Sequence, residues 1–530
     1  MIALKLTLLL DEALGEAIDV PSALEAAQRA AQSVCEQLGL PALPTLSLER
    51  AKLPYRLAAL RLEETLCRHA DSLESQLFSA QRHALYAPHH KAEIAAWLRE
   101  QPERLAPFLG AFVEAVLSQN AALLLTEPIA AAYRDQLPEA LMDYPIERLR
   151  QILVPLLALR VSLRAHELIA AALQEDSDEL SEALFAALRP KRLPIRCSEA
   201  TLRALTENAT EEEQALFSLM HNGLFEELGV QLPSLAFVVD DSLAFNQFRL
   251  HLNDLPSLVW QGLNADQVLV NGTVEQLSAC GVPAQPAYTA VNGRLVALAH
   301  RADAEAIRAE GFYVWTPFGH LVLQVSALLR QHSALFMCQR LAQRALEQIE
   351  IAFPALAEAV RTRLSTAMLA RLLRALIAEQ VGLRNMRAIC EALVTYDYIV
   401  VPPDQIAFDD RLQVSVPLPL EAGLLAFVRK RLSLQLTQQA ARERTPIPVY
   451  LLTPELEQAI AEAPEQACQR LLTALREQLA QRPELTPIVL CASDKRAALR
   501  ALIGLELPQV RVLAYQELVP EVALQPIARL

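Results

Sequence analysis

Leu117-Ser118-Gln119-Asn120-Ala121-Ala122-Leu123-Leu124 returns later in the chain as Leu329-Arg330-Gln331-His332-Ser333-Ala334-Leu335-Phe336, a step of 212 positions. Downstream, Val161-Ser162-Leu163-Arg164 returns as Val381-Gly382-Leu383-Arg384, a step of 220. Upstream, Glu36-Gln37-Leu38-Gly39-Leu40 is echoed by Glu226-Glu227-Leu228-Gly229-Val230, a step of 190. The matched pieces keep their order while the step widens, as insertions between corresponding elements of the later copy would make it do. Residues 1–190 are therefore expected to be a degenerate partial repeat of the later part of the chain. Two units this long are too few for a solenoid of short repeats.

Periodicity places elements around these anchors. Residues 1–55 read as an α/β start: a strand Leu4–Leu10, a helix from about Pro21 to Leu38 and a strand Thr45–Leu48. Residues 56–190 read as helical, with apolar positions three and four apart, as in Leu109, Phe112, Val113, Val116 and Leu117. The acidic run Gln174–Glu179 and Pro190-Lys191-Arg192-Leu193-Pro194 mark the boundary between units. The second unit, 191–435, opens with strands Leu193–Cys197, Ser234–Val239 and Gln247–Leu252 and a helix Glu211–Leu228 that Gly229 stops. Glycine and proline then punctuate residues 256–318 (Asn271-Gly272, Gly281, Pro283, Pro286, Asn292-Gly293), which suggests a small inserted α/β subdomain. Residues 320–400 are helical until Pro402-Pro403. In 436–530, strands Val449–Leu452, Ile488–Cys491 and Val510–Leu513 alternate with helices Leu456–Gln481 and Lys495–Leu505, which reads as a C-terminal α/β subdomain. The expected fold class is a helix-rich, multidomain α+β chain.

Bulk properties exclude several functions. A chain of 530 residues suffices for roughly three or four domains. Its net charge of −14 argues against a nucleic-acid footprint, which needs concentrated Lys and Arg. The N-terminal run Met1–Leu10 is apolar but has no basic leader and meets Asp11 and Glu12 at once, so it reads as a strand. The leucine-rich stretch Ile152–Leu173 is interrupted by Arg160, Arg164, His166 and Glu167, which argues against a membrane span. The eight cysteines are scattered without a Cys-x-x-Cys pair and read as reduced, mostly buried thiols of a cytoplasmic protein.

Motifs for catalysis or cofactors are missing. With 14 glycines and neither a Gly-x-Gly-x-x-Gly turn nor a Gly-Lys-Ser/Thr cradle, no loop is shaped to wrap a nucleotide phosphate. His89-His90 follows Pro88 and reads as a solvated loop, since neighbours on a chain point in different directions. Asp240-Asp241 and Asp409-Asp410 fall at strand ends, where carboxylates bond backbone N–H groups. No catalytic residue, cofactor or metal is expected.

The tail Pro487-Ile488-Val489-Leu490-Cys491-Ala492-Ser493, with Arg496, Leu499, Leu502 and Pro508–Leu518, resembles the close of the FHIPEP family, the export-gate proteins of flagellar and virulence type III secretion systems. Val381–Leu393 resembles that family's helical signature, and Gly311-Phe312-Tyr313-Val314 with His320-Leu321 resembles the segment leading into it. The likeness is collinear over about residues 195–530. It implies the cytoplasmic part of a gate protein, built of an α/β subdomain, a small inserted one, a helical one and a C-terminal α/β one. It further implies a protein that catalyses nothing and binds export-apparatus proteins, export chaperones and their cargo. Self-association, or docking on the ring of the membrane gate, belongs to the same expectation. So does a cytoplasmic place at the inner-membrane apparatus.

Two departures qualify that picture. The family's transmembrane helices have no counterpart in this sequence, and the extra unit stands in their place. At the chaperone cleft many flagellar members read Asp-Pro-Ala-Phe and, later, Thr-His-Leu; here stand Gln285-Pro286-Ala287-Tyr288 and Gly319-His320-Leu321. An aromatic is kept, while the carboxylate and the hydroxyl are lost. The candidate cleft residues are thus Gln285, Tyr288, Trp315, Phe318, Gly319 and His320. Tyr288 reads either as an exposed aromatic anchor or as a core tyrosine, and Trp315 and Phe318 either line the cleft or pack inside. Arg384 and Arg387 share a helix face and read either as a contact for an acidic neighbour or as a solvated face or internal ion pair, the latter being favoured. The altered cleft leaves a second reading open, a repurposed protein-binding scaffold outside secretion.

Overall fold

The computed structural model describes residues 2–15, 20–175, 179–208, 210–289, 294–396, 407–409, 414–416, 419–441, 445–462, 464–482 and 488–530. Its first sheet grows from β1, Ile2–Asp11, in which Leu4, Leu6, Leu8 and Leu10 alternate into the core and are all fully buried. The helix Val20–Leu38 carries the chain to β2, Ala42–Ala51, which pairs parallel to β1. β3, Ala58–Leu62, and β4, Thr65–Cys67, then add on the other side, both antiparallel, giving the order β2-β1-β3-β4.

β3 and β4 correct the expectation that the α/β part ends at residue 55. Leu57-Ala58-Ala59-Leu60-Arg61-Leu62 is rich in strong helix formers, so local propensity pointed to helix. Pairing with β1 wins because it buries Leu60 completely and Leu62 almost so, and Glu63, at φ 50°, turns the chain into β4.

The second sheet has the same plan. β5, Arg192–Cys197, lies between β6, Ser234–Val239, which is parallel to it, and β7, Gln247–Leu252, which is antiparallel. β8, Leu255–Pro256, and β9, Trp260–Gln261, both pair antiparallel with β7. Residues 256–261 therefore belong to this host sheet, and the inserted subdomain starts later than expected. It consists of β10, Gln267–Val270, β11, Ala284–Tyr288, β12, Leu295–His300, and β13, Val314–Trp315, in the order β11-β12-β10-β13. All its pairings are antiparallel, with helices Val274–Ala279 and Ala304–Ala309 between strands, a split β-α-β pattern. Leu277 and Ile307 from these helices seal one face over Val268, Val270, Ala297 and Ala299.

Helix ends repeat as closely as strand order. Helices Leu105–Gln119 and Pro317–Gln331 run into Asn120 (φ −112°, ψ 27°) and His332 (φ −109°, ψ 16°), then into 3-10 turns Ala121–Leu124 and Ser333–Phe336. Helices Ile146–Ala158 and Thr366–Ala378 close with the N–H of Val161 on the Leu156 carbonyl, at 3.0 Å, and that of Val381 on the Leu376 carbonyl, at 2.9 Å. Arg160 and Gln380 both take φ 59° there, a left-handed conformation rare for such side chains. Gly39 and Gly229, at φ 72° and 71°, end the helices that precede β2 and β6.

The chain divides into two compact units, Met1–Glu175 with Ala187–Phe336, and Asp176–Ala186 with Met337–Leu530. The expected boundary near residue 190 is therefore not where compactness divides the chain, and Pro190–Pro194 runs directly into β5. A polar anchor lies within each unit. Within the first unit, Arg249 on β7 pairs with Glu114 of helix Leu105–Gln119 at 2.8 Å. Within the second, Arg374 grips Glu182 through both carboxylate oxygens at 2.7 and 2.8 Å.

In the second unit, helices Gln339–Ala352, Pro354–Arg363, Thr366–Ala378 and Met386–Thr395 precede the short pair β14, Ala407–Asp409, and β15, Val414–Val416. Helices Pro419–Arg431 and Ser433–Ala441 lead to β16, Ile447–Leu451, β17, Ile488–Cys491, β18, Arg511–Ala514, and β19, Leu524–Arg529. These last four strands form a parallel sheet, β18-β17-β16-β19. The single expected helix Leu456–Gln481 is two, Pro454–Glu462 and Pro464–Gln481, since proline at a first helical position starts a new helix. Pro402-Pro403, Asn292-Gly293 and Asp410 lie outside the described residues. Among the described residues no helix is long and apolar enough to cross a membrane.

Candidate functional site

The six expected cleft residues fall in three places. Gln285 and Tyr288 lie on β11, an edge strand of the inserted sheet, with Gln285 exposed and Tyr288 half-buried opposite the exposed Leu295. Trp315 lies on β13, the opposite edge. Three strand spacings separate the edges, about 14 Å, so these side chains do not touch across the sheet. Gln285 lies on the same face as Ala287, and Tyr288 turns to the other face of the strand. Ala287 and Val296 join Leu263 and Leu269 in an apolar face on which Trp315, Leu323 and Leu85 pack. Exposed Tyr313 meets Trp315 edge to face at 4.9 Å, so the accessible aromatic pair is Tyr313 with Trp315.

Phe318, Gly319 and His320 sit in the first turn of helix Pro317–Gln331 and are buried. The hydroxyl of Thr316 caps that turn, accepting the Gly319 N–H at 3.2 Å, and itself donates to the Glu213 carboxylate. Phe318 packs edge to face on Phe217, which meets Phe237 of β6 in the same way, at 5.5 and 6.0 Å. His320 lies 3.1 Å from the amide nitrogen of Gln324, and burial pushes its pKa down to about 4. Gln324 can donate only to an unprotonated Nε2, so the ring is neutral with its proton on Nδ1, a buried atom without a partner. Gln285 and Tyr288 are thus presented at one edge of the inserted sheet and Tyr313 and Trp315 at the other, while Phe318 and His320 are buried in helix Pro317–Gln331.

A second site escaped the sequence reading. Along β5 the odd positions Leu193, Ile195 and Cys197 are fully buried, which turns Arg192, Pro194 and Arg196 to the other face. β7 does the same, with Phe248, Leu250 and Leu252 in the core and Arg249 and His251 beside the arginines, and Asn253 follows the strand. Arg196 and Arg249 stand directly opposite each other, an unfavourable pairing of like charges. Carboxylates from either side relieve it. Asp240, just beyond β6, lies 3.7 Å from Arg196, and Glu114 holds Arg249. Burial and the two arginines push the His251 pKa down to about 4, so the imidazole is neutral near pH 7.

This face and the segment Ser162–Ala165 of the first half bound a groove of about 740 Å³. Its rim is pinned by hydrogen bonds between the halves. Ser162 N–H donates to Asp254 at 2.8 Å, the N–H of Asp254 donates to the Arg160 carbonyl at 3.0 Å, and Asn253 Nδ2 donates to the Leu159 carbonyl at 2.7 Å. Arg164 Nε donates to the Glu36 carbonyl at 2.8 Å, which leaves the charged end of the side chain beside the groove. The sequence signal was the two-residue spacing of Arg249 with His251 and the alternation that puts Arg192 and Arg196 on one face. The proline-rich boundary reading of 190–194 hid it.

Other expected features take structural roles. Asp240 accepts from the N–H and the hydroxyl of Ser242, at 3.2 and 2.6 Å. Arg387 pairs with Glu391 at 2.7 Å and lies over the Phe353 ring. His89 packs edge to face on Phe78 at 4.5 Å, and all eight cysteines are free thiols, with only Cys280 exposed. Among the described residues no group of three or more His, Cys, Asp or Glu is arranged to hold a metal ion.

Comparison with known proteins places this arrangement. The chain is 27% identical over 330 residues to the hypersensitivity response secretion protein HrcV of Ralstonia nicotianae, covering 58% of this chain and 44% of that protein. It is 22% identical over 317 residues to the flagellar biosynthesis protein FlhA of Bacillus subtilis, covering 57% and 44%. The chain thus spans less than half the length of these relatives. The structure of the Chlamydia pneumoniae CdsV protein superposes with a TM-score of 0.54 at 22% identity, covering 64% of this chain and 97% of that one, and this shows a shared fold. The sequence pattern of the FHIPEP family matches residues 170–523, the stretch that holds the host sheet, the inserted sheet, the helical part and most of the parallel sheet, and the chain belongs to the FHIPEP family.

Proposed function

We propose that this chain is a non-catalytic component of a bacterial type III secretion or flagellar export apparatus, working in the cytoplasm beside the inner-membrane machinery. The observation that carries the reading is the collinear match along nearly the whole CdsV chain together with the family pattern. In this reading the aromatic edge Tyr313–Trp315 and the strand edge bearing Gln285 and Tyr288 receive an export chaperone, its cargo or another apparatus protein. Loss of the family's cleft carboxylate and hydroxyl favours a partner other than a standard flagellar chaperone. We further propose that residues 1–190 arose as a degenerate copy of the α/β and helical parts. Equal strand order, equal pairing senses and matching helix ends support this origin. We expect a monomer or small oligomer that docks on the gate ring; a stable large assembly in light scattering would contradict that expectation.

The test is deletion of the gene, followed by profiling of secreted proteins under inducing conditions. Altered export of at least one cargo is expected, and unchanged export of every cargo would sink the proposal. Affinity purification from the same cells should recover an export-apparatus protein or chaperone. With the bait well expressed, absence of all of them would move the chain outside secretion.

A further inference from the structure

We propose that the groove between the two halves of the first unit binds an acidic peptide segment through the arginine face of β5 and β7. The proposal stands on the groove itself and does not require that the chain act in secretion. Four guanidinium groups face this groove, from Arg164, Arg192, Arg196 and Arg249, against the two carboxylates of Asp240 and Asp254. Glu114 satisfies Arg249, and Asp240 partly satisfies Arg196. Among the described residues Arg192 has no ion-pair partner, while Arg164 acts electrostatically on Asp254. The Nε atoms of Arg196 and Arg249 are buried with no acceptor, so these two guanidinium groups keep unused donor capacity beside the groove.

This concentration of positive charge occurs in a chain whose net charge is −14. Glu114 and Asp240 offset the facing pair Arg249 and Arg196, so the positive charge left for a partner is that of Arg192 at the start of β5 and Arg164 across the groove. Geometry favours a peptide over a small anion. Arg192 and Arg196 are four residues apart on one strand, about 13 Å, which matches carboxylates spaced four residues apart on an extended acidic segment. Neutral His251 leaves the floor without a further charge and able to accept or donate a hydrogen bond.

The experiment uses the full chain and a fluorescein-labelled oligoglutamate peptide of about eight residues, long enough when extended to span both arginines. Binding is followed by fluorescence anisotropy at about 50 mM salt, where such pairs are weakly screened. Saturable binding is expected, weakened roughly tenfold or more by Arg192→Glu and several-fold by Arg192→Gln, in line with the loss of charge-assisted hydrogen bonds. Arg192 is exposed at the start of β5, so neither change disturbs the core. Arg29→Glu, on an exposed helix face of the first half, should leave the affinity within about twofold. No binding, or equal weakening by Arg29→Glu and Arg192→Glu, would overturn the proposal. So would inorganic phosphate that displaces the peptide and itself binds more tightly than the peptide in an Arg192-dependent way, since the groove would then be a small-anion site.

Discussion

At the residue scale, three histidines, His320 fully buried and His251 and His332 half-buried, make acid sensitivity a property of the first unit. Burial lowers the pKa of His320 and His251 to about 4 and that of His332 to about 3, with nearby arginines adding to the last two. A depressed folded value means that the unfolded chain takes up protons first as pH falls below 6.5. The stability these histidines contribute is therefore full above that pH and is lost as pH falls from 6.5 towards 4, by about 1.4 kcal/mol for each pKa unit and each group, and Glu74, which burial pushes up to about 7, offsets part of the loss. Urea midpoints measured across this window should fall steadily, and His320→Gln should make the slope shallower. An unchanged slope would mean that His320 stays accessible to protons in the folded state. Gly39 makes a second, sharper case. It sits at φ +72°, and a Cβ there would lie 2.8 Å from Arg164 Cγ and 2.9 Å from its backbone nitrogen. Gly39→Ala should cost about 2 kcal/mol or more in urea denaturation, from left-handed strain plus the clash. Gly223→Ala, with open space at its Cβ inside a helix, should be neutral or stabilising by up to about 1 kcal/mol.

At the element scale, the second unit is tied by buried charge. Arg429 of helix Pro419–Arg431 binds Glu517 through two nitrogens, at 2.6 and 2.9 Å, and reaches Glu379 at 3.0 Å. Arg496 of helix Ser493–Gly504 contacts the same two carboxylates. Burial alone would raise the pKa of Glu379, yet the two arginines override it and hold the carboxyl below its usual value. Removing one partner from such a set leaves an uncompensated buried charge, so Glu517→Gln should lower stability by about 3–5 kcal/mol in chemical denaturation. A loss below about 1 kcal/mol would show that water reaches the cluster. Elements such as these also mark what the sequence reveals. β6, β7 and β17, and helix Glu211–Leu228, were legible to the residue, because short apolar or alternating runs marked the strands and Gly229 marked the end of the helix. β3 was hidden by its helix-forming composition. β19 was hidden because its residues are mostly exposed and Pro526 interrupts it, a residue tolerated there on an edge strand at a register shift. The aromatic edge was half legible. Trp315 and Tyr288 were named, but which aromatic stays accessible depends on strand order. The arginine groove draws its lining from both halves of the first unit, so no local window contains it.

At the scale of the whole molecule, the proposed repeat and the compact units divide the chain differently, and the difference can be tested. A self-sufficient N-terminal copy would leave residues 187–336 intact when removed. The packing says otherwise. Without residues 1–175, Arg249 loses Glu114, Asp254 loses the Ser162 N–H, Asn253 loses the Leu159 carbonyl and the inserted sheet loses Leu85 from its apolar face. Each buried polar group left unsatisfied costs about 1–3 kcal/mol. A chain starting at residue 176 keeps Glu182 for Arg374, and with it the anchor of the second unit. Multidomain chains of this size need not unfold in one step. Calorimetry of the full chain should therefore resolve more than one transition. In the shortened chain one transition should persist within a few degrees, while the other falls by about 10 °C or more, given about 2–4 °C per kcal/mol for units of this size. Hydrogen exchange should assign the weakened transition to β5–β13. If both transitions survive within a few degrees, the two halves of the first unit fold independently, and the groove between them is an interface that each half can leave without loss.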